Sequence, residues 1–258
     1  MLTYKNVNRI SILLLLVLIL LKVFCSFSFL WINLLIFVWV TLTVIGSFHI
    51  RWNYFLKAKH SDYSEKGNNI AITFDDGPHP EFTPKVLRLL EKYQAKATFF
   101  LIGNQIEKHS ELVSEIINQG HTIGNHTYSH TNNFGFLKTQ EVISDLKKNT
   151  VLVADLFQKK MNLFRPAFGV TNPRIAKAVK ELNLEAIGWS VRSLDTAKDS
   201  KEVILNRITK NIKKGDVVLL HDTSQKTLEV LEQFLVILEK KELKSVTIDQ
   251  LFNCKAYA

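Results

Sequence analysis

Apolar residues fall into two regimes along this chain. From 10 to 50 they run almost unbroken, with Lys22 as the only lysine or arginine, whereas from 69 onward they come in short runs between helical patterns. The first block exceeds the roughly 20 residues that one bilayer crossing needs. It predicts a hairpin of two transmembrane helices, over about 10–24 and 30–48, linked tightly through 25–28. Trp31, Trp39 and Trp52 suit interfacial places in that arrangement. The second regime predicts strands at 69–74, 97–103, 122–127, 162–169, 185–191 and 216–222. Between them, helical spacing predicts helices over 83–93, 105–118, 139–159, 173–182, 200–212 and 225–240, with 246–252 closing the chain. Pro84 suits a first helical turn and Gly120 a helix stop. Strands separated by helices imply βα units and a mostly parallel sheet. About six or seven units fit, a count that favours a barrel, whose chemistry sits at the C-terminal strand ends.

Length and charge refine this picture. The 258 residues hold one domain of catalytic size plus an N-terminal addition. The expected division is a membrane anchor over 1–56, a linker over 57–65 and a soluble domain over 66–258. Lys5 and Arg9 flank one end of the apolar block, and Arg51, Lys57 and Lys59 flank the other. A hairpin puts both flanks in one compartment, which the positive-inside rule makes the cytoplasm. Lys22 pulls the other way unless it snorkels or lies in an extended loop. A secretory signal is the rival reading, but no small-x-small cleavage site follows, and the second apolar block would still anchor the chain. A multi-pass membrane protein is expected. The net charge of +9 is spread in pairs such as Lys147 with Lys148 and Lys240 with Lys241. That reads as a solvated surface attracted to anionic headgroups. No nucleic-acid motif or protein partner is evident, and Cys25 and Cys254 imply no disulfide framework.

Asp75 and Asp76 follow the first predicted strand of the soluble domain, His126 and His130 the third, Arg165 the fourth, Asp195 the fifth, and His221 with Asp222 the sixth. Each has a bland reading. Asp-Asp-Gly-Pro is common turn punctuation, and two histidines four apart arise by chance in a chain with eight. His221 would serve as a core histidine, and Arg165 as a surface ion pair. Scattered turns, however, have no reason to share one rim. Adjacent carboxylates repel unless a cation or donor lies between them. Two imidazoles projecting from one helical face and one carboxylate form a ligand set for zinc or a similar divalent ion. The ion's charge then removes the penalty, and the other carboxylate is free to act as a base toward water that the metal acidifies. On that rim His221 reads as a general acid held in its tautomer by a carboxylate such as Asp195, and Arg165 as the partner that orients the base.

The segments TFDDGP (73–78), HTYSH (126–130), RPAFG (165–169), WSVRSLDT (189–196) and LLHD (219–222) resemble, in order, the five motifs of the polysaccharide deacetylase family, also called NodB-homology or carbohydrate esterase family 4. The resemblance spans 66 to about 250. It implies an α/β fold, a distorted (β/α)7 barrel of about seven strands, and metal-dependent removal of N-acetyl or other acyl groups from the amino sugars of a polysaccharide, peptidoglycan or lipid-linked glycan. It assigns Asp75 as base, Asp76, His126 and His130 as ligands of a divalent ion (Zn2+, with Co2+, Ni2+ or Mn2+ as alternatives), Arg165 as the base's partner, and His221 as acid coupled to Asp195. The backbone amide near Phe168 would help hold the oxyanion. Two departures bear on substrate contacts. Ala167 and Phe168 replace a usual Pro and Tyr, and the fourth motif keeps only the second of two carboxylates, Asp195. Trp189 stacks on a sugar ring or belongs to the core. Alternatives to an N-deacetylase are an O-deacetylase or a deformylase of a lipid-linked sugar, and an inactive membrane-anchored glycan-binding protein; the full set of base, ligands and acid argues against the last.

Overall fold

A computed structural model describes residues 2–25 and 28–258. Ser26 and Phe27, in the expected hairpin link, lie outside the described residues. The two apolar helices are α1 (Tyr4–Cys25) and α2 (Phe29–Phe48), each long and apolar enough to cross a membrane. They meet side by side, and Trp39 Nε1 donates to Asn8 Oδ1 at 2.9 Å. The first begins at Tyr4 rather than near 10. Its N-terminal turn is held by the segment after α2: Tyr4 N donates to Tyr54 O at 2.9 Å, and the Tyr4 ring lies 4.8 Å from that of Phe55.

The remainder runs β1 (Ala58–Lys59), β2 (Asn69–Asp75), α3 (Thr83–Lys92), β3 (Ala97–Leu101), α4 (Gly103–Lys108), α5 (Ser110–Asn118), β4 (Thr122–Asn125), α6 (Thr139–Phe157), β5 (Leu163–Phe164) and α7 (Pro173–Glu181). It continues through β6 (Glu185–Ile187), β7 (Val191–Arg192), α8 (Lys201–Thr209), β8 (Val217–His221), α9 (Gln225–Lys240), β9 (Lys244–Ser245) and α10 (Ile248–Phe252). The sheet order is β1-β6-β5-β4-β3-β2-β8-β7, with β9 added beside β2 and every named pair parallel. β6 and β7 are successive pieces of one segment. Gly188 N donates to Lys59 O at 2.8 Å and Ser190 N to Val217 O at 3.0 Å, so that segment leaves one end of the curled sheet and joins the other. This is the distorted (β/α) barrel that the motifs imply.

Three expected elements differ. The helix expected over 105–118 is two, broken at His109, whose φ of −138° and ψ of 46° are not helical. The strand expected over 162–169 is only Leu163–Phe164, because Pro166 offers no N–H and residues Ala167–Gly169 turn as a 3-10 helix. Within 57–65, expected as a linker, Ala58 and Lys59 pair with β6, and Asp62 N donates to Gly215 O at 2.8 Å.

Period-two alternation decides what faces the barrel interior. On β2, Ile70, Ile72 and Phe74 pack outward with residues of α3 and α9, while Ala71, Thr73 and Asp75 form the inner row. On β8, Val218 and Leu220 pack outward, while Val217 and Leu219 join the inner cluster and His221 ends that row. Each fully buried Ile, Leu or Phe contributes about 1.5–3 kcal/mol. The small Ala71 and the polar Thr73 leave room inside for one large polar side chain. Register then places Asp75 beside His221 at the ends of neighbouring strands.

Candidate active site

That large interior side chain is Arg165. It is fully buried, not a surface pair. Its Nη1 donates to Thr73 Oγ1 at 2.7 Å and to Asp75 Oδ1 at 2.8 Å, while Nε and Nη2 reach the carbonyls of Ile187 and Gly188 at 3.3 and 3.0 Å. Burial pushes its ionisation downward and the Asp75 carboxylate opposes that shift. Asp75 Oδ2 is left toward the barrel mouth, 3.9 Å from His126 Nε2.

Strict alternation would send Asp76 outward. Instead its φ of 73° lies in the left-handed region, which Asp tolerates better than most residues, and the second carboxylate also reaches the mouth. Asp76 Oδ1 lies 3.3 Å from His126 Nε2 and 3.3 Å from His130 Nε2. Burial alone would raise its pKa, but the hydrogen bond and charge of His126, with the charges of His130 and His221, hold it well below the usual carboxylate range. The next residue must be glycine, because a Cβ there would lie 2.7 Å from Asp222 Oδ1.

The two histidines do not share a helix. Residues 126–130 form a loop beyond β4 with Thr127 at φ 69° and His130 at φ 46°. His126 Nδ1 meets the Arg165 carbonyl at 2.9 Å, which as an N–H donor leaves Nε2 as a lone pair facing Asp76. The loop is held by α6. Asp145 accepts from Tyr128 N at 2.7 Å and Ser129 N at 3.1 Å, and Asn149 Nδ2 donates to Thr127 O at 2.7 Å and Leu101 O at 3.0 Å. Neither residue stood out among the motifs. The available signal was two polar side chains four apart on a helix face, where Asn149 is fully buried.

His130 Nε2 is buried and has no hydrogen-bond partner, and burial, aided by the charge of His126, lowers its pKa. A partnerless imidazole nitrogen converging with a second imidazole and a carboxylate, all donor atoms within 4.8 Å of one another, has the chemistry of a divalent-cation site.

Across the mouth, His221 Nδ1 lies 2.8 Å from Asp195 Oδ1, and His221 N donates to Asp195 Oδ2 at 2.8 Å. Ser193 Oγ and Thr227 Oγ1 donate to the same carboxylate at 2.7 and 2.8 Å. Burial works against the imidazolium, yet the Asp195 hydrogen bond and charge outweigh it and raise His221 to about 9. His221 Nε2 faces the cleft, 3.9 Å from Asp76 Oδ2. It is no core histidine. Asp222, which sequence reasoning placed on the rim without a role, turns away from the mouth and is wholly buried. It accepts from Thr83 Oγ1, its Oδ1 has no partner, and burial pushes it up to about 7.

These groups line a cleft of about 240 Å³. Phe168, with φ 58° and its ring 4.6 Å from that of His130, covers one side and stays half exposed. Trp189 closes the floor: it is 7% exposed and packed so closely on Gly169 that a Cβ there would lie 2.5 Å from its ring.

Comparison with known proteins points the same way. The model of the polysaccharide deacetylase family matches residues 62–187. A peptidoglycan-N-acetylglucosamine deacetylase of Bacillus cereus is 39% identical over 193 residues, covering 72% of this chain and 89% of that protein. The crystal structure of a peptidoglycan N-acetylglucosamine deacetylase superposes with a TM-score of 0.73 at 33% identity, over 78% of this chain and 94% of the other. A carbohydrate esterase family 4 pseudoenzyme from Bacillus anthracis has a TM-score of 0.68 at 26% identity, over 74% of this chain and 67% of its own. With its five motifs gathered on one barrel rim, the chain belongs to the polysaccharide deacetylase family of hydrolases, carbohydrate esterase family 4.

Proposed function

We propose that the protein is a metal-dependent N-deacetylase of an amino-sugar glycan. One observation carries the reading: Asp76 Oδ1 sits 3.3 Å from both imidazoles, while its neighbour Asp75 is engaged through Oδ1 by Arg165 at 2.8 Å and its Oδ2 lies 3.9 Å from His126. Asp76, His126 and His130 would hold the divalent ion, and zinc suits a donor set of two imidazoles and a carboxylate. When bound, the ion supplies Lewis-acid activation of the acyl carbonyl and of water.

The protein's own groups do the rest. Asp75 Oδ2, the oxygen that Arg165 does not engage, takes the proton of the attacking water. The backbone amide of Phe168 donates to the oxygen that gains charge. His221 gives the proton on Nε2 to the departing amine nitrogen, while Asp195 on Nδ1 fixes its tautomer and keeps it charged. One proton is gained at Asp75 and one lost at His221. Trp189 offers a wall on which a sugar ring stacks.

The organisation follows the two apolar regimes. Residues 1–56 anchor the chain in the bilayer through α1 and α2, and the catalytic domain runs from β1 at Ala58 through 258. Both hairpin flanks carry lysine and arginine, which favours the cytoplasmic side. Thiol labelling of a cysteine introduced near Ser64 tests that side.

The pseudoenzyme relative shows that family membership alone does not make an enzyme. Here Asp75 with Arg165, the trio of Asp76, His126 and His130, and the His221–Asp195 pair converge on one cleft, which supports activity. An N-acetylated chitooligosaccharide incubated with the protein is expected to gain free amine, an outcome that only amide cleavage produces. Asp75→Asn and His221→Ala should abolish amine and acetate release with the circular dichroism unchanged. Undiminished turnover in either would remove the assigned roles.

A further inference from the structure

A second recess opens beside the catalytic cleft. It holds about 180 Å³ and is lined by His49, Arg51, Trp189, Ser190 and Arg192, together with the end of α2. Trp189 and Arg192 belong to both hollows, so the recess continues the cleft toward the hairpin. Its outer wall is fixed to the barrel. Thr171 N donates to Ser47 O at 2.8 Å, and Ile50 is buried against Gly188, where a Cβ would lie 3.2 Å from Ile50 Cγ2.

The charge in this recess is unusual. Arg51 is exposed and held by a single bond, Nη1 to Ser190 O at 3.3 Å. Arg192 is exposed with its guanidinium carbon 5.5 Å from the centroid of the Trp189 ring. Among the described residues neither pairs with a carboxylate. Two permanent cations therefore border one small hollow without neutralisation, between the chemistry and the end of an apolar helix. Guanidinium pairs match phosphate oxygens in geometry as well as charge.

We propose that this recess is a phosphate subsite, and that the amino sugar reaches the cleft on a membrane-embedded carrier to which it is joined through a phosphate or diphosphate. The sugar ring lies on Trp189 in the cleft, the phosphate lies between Arg51 and Arg192, and the carrier's apolar chain leaves alongside α2. The identity of the sugar rests on the deacetylase reading; the phosphate subsite does not.

Binding to the full chain in phosphatidylcholine nanodiscs tests this without requiring turnover. The probes are N-acetylglucosamine joined to farnesol through a diphosphate, and the neutral farnesyl glycoside of the same sugar. The diphosphate probe is expected to bind at least about tenfold tighter. The Arg51→Ala and Arg192→Gln double variant should reduce that preference to less than about twofold, while Arg51→Lys, which keeps the charge but not the planar fork, should retain only part of it. Equal binding by the unaltered protein, or a preference that survives the double variant in a chain melting at the usual temperature, would overturn the subsite. Replacing half the lipid with phosphatidylglycerol should leave the preference intact; its loss would show that the recess takes phospholipid headgroups, and the carrier assignment would fall. Acetate release from soluble N-acetylated chitotetraose is followed in parallel. Acetate release from the diphosphate probe itself is followed as well, and no release from either substrate alongside an intact preference would fail the deacetylase reading and leave the phosphate subsite standing.

Discussion

Two histidines approach Asp76 from opposite sides of the cleft, and their surroundings assign them opposite states. His130 comes from a loop, its Nε2 buried without a partner, and burial lowers its pKa. His221 ends a strand, with Asp195 behind its Nδ1 at 2.8 Å, and is raised to about 9. Burial thus favours the neutral imidazole on one side and Asp195 the charged one on the other, which on the proposed function suits a lone-pair donor and a proton store. The difference lies in how each ring is paired: His221 Nδ1 has a carboxylate to which two further hydroxyls donate, while His130 Nε2 has no hydrogen-bond partner among the described residues.

The comparison breaks most severely if its lone-pair side is removed. His130→Ala should lower bound zinc from about one ion per chain to nearly none, with activity down at least about 100-fold, checked by atomic absorption and amine release. Removing zinc by chelation should mimic the variant, and re-addition should restore only the unaltered protein. The proton-store side is tested next through pH. Because His221 is raised above its ordinary value, its charged form supports the fold fully below about 6.5, and that support is lost as pH rises through about 9. Turnover should likewise fall as pH rises through that value. Asp195→Asn should move this alkaline limb toward 6.5 and lower kcat at pH 7.5 by about 100-fold or more, visible in the pH profile of kcat.

A milder change sharpens the contrast from behind the loop. Asp145→Ala removes the acceptor of two backbone amides, and should weaken zinc binding by about 10-fold while excess zinc restores turnover, measured by competition with a chelating dye. The smallest effect is expected at Asp222. Burial raises its pKa from 3.8 to about 7, so its neutral form supports the fold at low pH and that support is lost as pH rises through 7. Asp222→Asn should therefore melt higher than the unaltered chain at pH 8, with the gap closing at pH 5, as calorimetry would show.

Much of the fold was legible because β2, β3 and β8 carry long apolar runs, and the ends of β2 and β8 hold Asp75, Asp76 and His221. The pieces that escaped are those without periodicity: β5 and β7 have two residues each, and the break at His109 carries neither glycine nor proline. The convergence of His126 and His130 followed from their spacing, but on the premise of a helix. Left-handed Thr127 and His130 bring them together instead, and that conformation is set from α6 by Asp145 and Asn149, distant in sequence and readable only as polar positions on a helix face. Arg165 could be placed at a strand end. Its burial inside the barrel could not, since that depends on small and polar residues of another strand making room.

The seat of Arg165 has a consequence for how the protein comes into being. Its acceptors come from two arcs of the ring: Thr73 and Asp75 from one, the carbonyls of Ile187 and Gly188 from the other. The guanidinium works as a keystone. A half-assembled barrel has no place to lodge it and leaves Asp75 unoriented, so partial folding yields no partial catalyst.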